Sequence, residues 1–195
     1  FWAEESDSSA KDSDLMWIID PLDGTTNFAH SLFPVAVSVA LWHNGAIQLG
    51  IIYIPMTGEL FRARSGNGAY LNQKPISVSE TGELEQSLIA TGFPYDIREK
   101  SDEVVPLLEK VLVNCRGLRR MGAAAIDLAY TACGRFEGFY EQGLKPWDTA
   151  AGWLIVEEAG GRVSQYNPGQ EYNLLAPSIL ATNGRIHHSL GELLT

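Results

Sequence analysis

LMWIIDPLDGTTNF, residues 15–28, opens as a short apolar run rich in β-branched and aromatic side chains. Such a run, bounded by turn formers, predicts a buried strand. The strand is expected to stop at Asp20, because Pro21 has no N–H to give to a sheet ladder. Asp23-Gly24 then predicts a turn, with Thr25 and Thr26 capping a short helix or turn. Asp20 and Asp23 therefore flank a rigid proline at the carboxyl end of a strand, where α/β proteins bind ligands. Two converging carboxylates repel unless a cation sits between them, and hard oxygen ligands suit Mg²⁺. Gly24, Thr25 and Thr26 offer backbone N–H groups beside that site, as a phosphate cradle would. Turn chemistry alone accounts equally well for each residue of Asp-Pro-x-Asp-Gly taken singly.

The totals narrow the classes. The chain has 195 residues, 45% of them hydrophobic and 10% aromatic, as in a globular enzyme with a proper core. A net charge of −10 argues against direct binding to nucleic acid or to anionic membranes. Cys115 and Cys133 form neither a disulfide framework nor a metal-ligand spacing, so two reduced thiols and a cytoplasmic location are expected. No apolar run approaches the length of a membrane span, since the longest, 33–42, is broken by Pro34 and Ser38. The chain opens on Phe1 in mid-pattern and is read as truncated at its start.

Working outward, FWAEES at 1–6 reads as a strand end running into Glu4 and Glu5, and 7–14 as a polar surface loop. Downstream, Asn44-Gly45 and the turns at 56–58, 66–68 and 72–75 divide an antiparallel meander. The polar stretch 79–87 suggests a boundary between an N-terminal metal-site part, 1–83, and a C-terminal α/β part, 84–195. A strand at 88–91 leads to a bend. Ser101 or Asp102 is expected to cap a helix whose first turns contain Pro106, with Val104, Val105, Leu107, Leu108, Val111 and Leu112 at helical spacing. Gly122-Ala123-Ala124-Ala125 opens a small-residue helix running to about Cys133, and 135–141 alternates as a strand. His30 and His43 lack ligand spacing, and His187-His188 reads as a surface pair.

KPWDTAAGWLIVEEAGG, residues 145–161, places Asp148 as an expected N-cap before a helix with small residues at its start. DPLDGTTNF and this second stretch together resemble the two signatures of the inositol monophosphatase family, metal-dependent phosphomonoesterases. The Glu-Glu-Ser at 4–6 and the Gly-Ala-Ala at 122–124 occur in the family's order. The likeness covers essentially the whole chain.

The resemblance implies a mixed α+β, layered α-β-α-β-α sugar-phosphatase fold, with the first helical layer missing or incomplete here. It implies Mg²⁺ held by Glu4, Asp20, Asp23, Asp148 and the Leu22 carbonyl, with Glu5 as the alternative to Glu4. Thr25 would orient a water, and Gly24, Thr25 and Thr26 would hold phosphate. Asp23 and Asp148 would also face the substrate. Gly122, Ala123, Ala124 and Glu141 would contact the alcohol half. The implied reaction is Mg²⁺-dependent, Li⁺-sensitive hydrolysis of a small phosphomonoester, inositol 1-phosphate first, by a cytoplasmic homodimer. Fructose bisphosphate, phosphoadenosine phosphate or histidinol phosphate are other substrates within the superfamily. Some bacterial relatives bind the transcription machinery, which leaves a non-catalytic interaction role open. The loss of the start predicts impaired activity.

Overall fold

The computed structural model describes residues 1–4 and 14–195. Glu5 and the polar loop up to Ser13 lie outside the described residues. The fold is mixed α+β, as expected, and is built from two sheets with helices between and beside them.

The first sheet has seven strands in sequence order: β1 Trp2–Ala3, β2 Leu15–Asp23, β3 Ala36–His43, β4 Ala46–Ile54, β5 Glu59–Arg64, β6 Ala69–Leu71 and β7 Lys74–Ile76. β1 runs parallel to β2, and every later pair is antiparallel. This is the meander expected from the Asn-Gly turn and its successors. Along β2 and β4, alternate residues such as Met16, Ile18, Ile52 and Ile54 are buried, while Leu15, Trp17 and Tyr53 face outward. The period of two is the reason one face can enter the core.

The second sheet has the order β11-β12-β10-β8-β9, with β8 Leu88–Thr91, β9 Gly117–Arg119, β10 Gly138–Gln142, β11 Arg162–Ser164 and β12 Ser178–Thr182. β8 pairs in parallel with β10 on one side and β9 on the other, and β12 runs antiparallel to β10 and β11. Two helices, α3 Ala124–Ala132 and α4 Pro146–Glu158, lie between the sheets. Both are apolar nearly all round, as a helix buried on every side must be. Phe61, Ile126, Leu128, Ile155 and Phe139 join one core through this layer. On the far side of the second sheet, α2 Ile97–Asn114 and α5 His187–Leu194 enclose a smaller cluster around Ile89, Leu180 and Leu190. Among the described residues no helix is long and apolar enough to cross a membrane.

Several local expectations are corrected. β2 does not stop at Asp20. It continues to Asp23 through a bulge, with Asp20 opposite Ser38 and Asp23 opposite Ala36, so β2 carries one extra residue. Pro21 sits inside that bulge, where no ladder N–H is required. α2 begins at Ile97, after Asp96, and not at Ser101 or Asp102. Pro106 is therefore interior. It lies on the solvent face, where water can satisfy the carbonyl it leaves unpaired. Val105 and Leu112 are exposed, and of the expected apolar stripe Val104 and Val111 are buried. Lys145, not Asp148, takes the cap position of α4. The strand read at 135–141 is confined to Gly138–Gln142. His187 is buried and His188 alone is exposed, so the two are not a surface pair.

Candidate active site

The β2 bulge and the first turns of α3 and α4 meet at one cavity of about 510 Å³ between the two sheets. Glu4, Asp20, Leu22, Asp23, Gly24, Thr25 and Thr26 line one side. Asp148 enters from α4 and Glu141 from the end of β10, while Gly122, Ala123 and Ala124 form the wall before α3. Every expected site residue within the described part of the chain thus reaches the same space.

Backbone hydrogen bonds fix the acids. Asp20 Oδ1 accepts the Leu22 N–H at 2.9 Å inside the bulge. Asp23 Oδ2 accepts the Ala125 N–H at 2.7 Å, using a donor at the start of α3 that has no helical partner. Asp148 Oδ2 accepts the Lys145 N–H at 2.7 Å, which places it in the first turn of α4 and explains why an acid there is tolerated. Ser38 Oγ donates to the Trp147 carbonyl at 3.1 Å, tying the start of α4 to β3. Asn27 is buried in the short helix α1, Thr25–Ala29, and donates to the carbonyls of Pro34 at 2.7 Å and Met121 at 2.9 Å. That bond locks the β2 turn to the loop before α3. Gly24 sits at φ 90°, and a Cβ there would stand 2.7 Å from the Pro34 carbonyl oxygen, so only glycine fits.

The electrostatics follow from this crowding. Burial, with Glu4 and Asp148 nearby, pushes the Asp20 carboxyl up to about 7. Burial raises Asp23 well above the usual carboxylate range, with Asp148, Asp20 and Glu141 adding repulsion. Burial, with some repulsion from Glu4, lifts Asp148 to about 6, and burial with Asp148 lifts Glu141 to about 8. The wall is thus a crowded set of oxygen acids, whose burial and repulsion outweigh the pull of Arg120 on Glu141 and of Lys145 on Asp148. Among the described residues no three acids, imidazoles or thiols are gathered into a closed ligand set. The donor chemistry nonetheless fits a hard divalent cation, because such an ion relieves the shared repulsion.

Sequence reasoning missed several lining residues. Arg120, the one Lys or Arg in the lining among the described residues, stacks over Phe93 at 5.8 Å from the ring centroid. Phe93, Pro94 and Tyr95 follow β8 and close one side. Gly92 lies under Glu141, and a Cβ there would stand 2.1 Å from Glu141 Oε2. Asp127 of α3 also lines the cavity and is 1% exposed. An acid in the otherwise apolar run AAIDLAYTA was the signal for it.

The family model described as Inositol monophosphatase family matches residues 1–194. The chain belongs to the inositol monophosphatase family. It is therefore a phosphomonoesterase. It is 48% identical over 194 residues to a Synechocystis protein named "Inositol-1-monophosphatase", spanning 98% of this chain and 67% of that relative. It is 43% identical over 183 residues to the Escherichia coli K12 protein named "Nus factor SuhB", spanning 94% of this chain and 68% of the relative. The fold matches the inositol monophosphatase structure from Anabaena with a TM-score of 0.94 at 47% identity, covering 98% of this chain and 76% of that one.

Proposed function

We propose that this chain hydrolyses a small phosphomonoester with Mg²⁺ and a directly attacking water, with inositol 1-phosphate as the first substrate to try. The observation that carries this is the convergence of Asp20, Asp23 and Asp148 with Glu4 on one cavity wall, where burial and mutual repulsion raise Asp20 and Asp148 above the usual carboxylate range. These four carboxylates and the Leu22 carbonyl would hold Mg²⁺. Bound there, the ion supplies a water of lowered pKa and charge stabilisation for the leaving oxygen.

The rest is the work of the chain itself. Thr25 Oγ1 donates to the Leu22 carbonyl at 3.1 Å, so its lone pairs are left to accept a hydrogen bond from the water and orient it. Gly24 and Thr25 stand at the start of α1, where backbone N–H groups have no helical acceptor and can hold phosphate oxygens. Glu141 reads a hydroxyl of the alcohol, and the small side chains of Ala123 and Ala124 with Gly122 let it lie close to the backbone. No cysteine, serine or histidine with a base beside it lines the cavity among the described residues, so no phosphoenzyme is expected. Phosphate release from inositol 1-phosphate across a Mg²⁺ titration, with and without Li⁺, tests the reading. Absence of Mg²⁺-dependent release from any phosphomonoester would refute it.

A second role at the transcription machinery is favoured by one observation, the name "Nus factor SuhB" carried by relatives at 43% identity. Retention of RNA polymerase on the immobilised protein, with and without an intact acid wall, would separate that role from catalysis. A homodimer in the cytoplasm belongs to the same proposal.

A further inference from the structure

Beyond the four acids, the cavity wall carries Asp127, Glu141 and Arg120, brought together from α3, β10 and the loop before α3. Asp127 differs from its acidic neighbours. Asp20, Asp23 and Asp148 each accept a backbone N–H. Asp127 Oδ1 is buried with no hydrogen-bond partner among the described residues. Leaving a buried polar atom unmet costs about 1–3 kcal/mol, more for a charged one. An apolar side chain in this helix would avoid that cost, since Ile126, Leu128 and Ala129 around it are fully buried.

The neighbouring cation does not remove the need. Arg120 makes no ion pair with Asp127 or Glu141 among the described residues, and its guanidinium lies over the Phe93 ring. Two acids and a guanidinium beside an aromatic ring therefore belong to one part of the cavity lining. A hydroxyl both donates and accepts, so a group of this composition matches neighbouring hydroxyls and matches a plain aryl or alkyl group poorly.

We propose that Asp127 is a specificity-determining residue, which accepts a hydrogen bond from a hydroxyl of the leaving alcohol beside the one read by Glu141. This rests on the phosphatase reading above.

The experiment compares two esters on the same preparation of protein: inositol 1-phosphate, and p-nitrophenyl phosphate, whose alcohol half carries no hydroxyl. Because both are assayed on one preparation, the ratio of their kcat/KM values is independent of the fraction folded. Asp127→Ala should lower kcat/KM for the inositol ester by about 10- to 100-fold, mainly through KM, and change that for the aryl ester by less than about threefold. Asp127→Asn, which keeps an acceptor of the same shape, should recover the inositol ester to within about fivefold of the parent. A parallel fall for both esters would assign Asp127 a structural role and overturn the proposal, as would no change in either. Parent protein inert toward both esters with Mg²⁺ would overturn this inference, and inertness toward every phosphomonoester tried would overturn the phosphatase reading as well.

Discussion

Asp127 and His187 are equally buried, at 1% exposure each, yet their surroundings are opposite. His187 bridges two hydroxyls, with Nε2 at 2.9 Å from Ser164 Oγ and Nδ1 at 2.9 Å from Thr182 Oγ1. Both ring nitrogens are met, so the group ties α5 to β11 and β12. The acids of the cavity crowd one another, and one of Asp127's oxygens is unmet. A buried polar cluster whose groups are all paired holds a fold together. One left unpaired beside a cavity is where a ligand group can supply the missing partner.

The sharpest break of this comparison is removal of one charge from the acid wall. Asp23→Asn keeps an oxygen for the Ala125 N–H and should cut turnover by about 1,000-fold or more, while the melting temperature holds or rises. A variant that melts much earlier would place Asp23 among the structural groups instead. The converse change is His187→Ala, which leaves the Ser164 and Thr182 hydroxyls with only their backbone partners, the Gln165 carbonyl and the Gly184 N–H. It should lower unfolding free energy by about 2–4 kcal/mol in a denaturant titration and leave kcat per folded molecule unchanged.

The two clusters also predict opposite pH slopes. Burial, with Arg162 and His188 near, lowers His187 to about 4 from its usual 6.5. Between those values the unfolded chain binds a proton that the folded one refuses. This contribution to stability is lost as pH falls through that window, by up to about 3 kcal/mol. The raised carboxyls act the other way. With Asp148 near 6, Asp20 near 7 and Glu141 near 8, the folded, metal-free protein keeps protons that the unfolded chain has released above about 4. That contribution is lost as pH rises from about 4 to 8. Mg²⁺ should therefore raise the melting temperature more at pH 8 than at pH 5.5. Equal shifts at both would show that the acids are not strained as described. The smallest effect is expected for Gly92→Ala, whose methyl displaces the Glu141 carboxyl. A fall of about tenfold in kcat/KM on a polyol ester, with the aryl ester spared, would confirm that Glu141 must lie against bare backbone.

The acid wall was legible because its chemistry is concentrated in contiguous runs. Asp20, Leu22, Asp23 and Thr25 share one turn, and Asp148 sits in a second run of equal character. The meander was legible through its Asn-Gly and Gly-rich turns. What escaped was set by packing between distant segments. Arg120, Phe93 and Asp127 belong to three stretches that meet only once α3 is sandwiched between the sheets. The local errors have the same origin. Pro21 reads as a strand terminator because the bulge in β2 that shelters it exists only once β2 is paired with β3. Ser101 was read as a cap because nothing local shows that α2 starts a turn earlier, where Pro94 has already bent the chain.

Three backbone donors in this site have a further consequence, for denticity. The N–H groups of Leu22, Ala125 and Lys145 each occupy one oxygen of Asp20, Asp23 and Asp148. An aspartate held this way has one oxygen engaged, which favours binding a cation through the other. Ca²⁺ fills a shell of about six to eight oxygens partly with two-oxygen carboxylates, whereas Mg²⁺ accepts single oxygens in a tight octahedron and keeps its waters. In the proposed Mg²⁺ site this restraint would favour Mg²⁺ over Ca²⁺, and Ca²⁺ is expected to occupy the wall without supporting turnover.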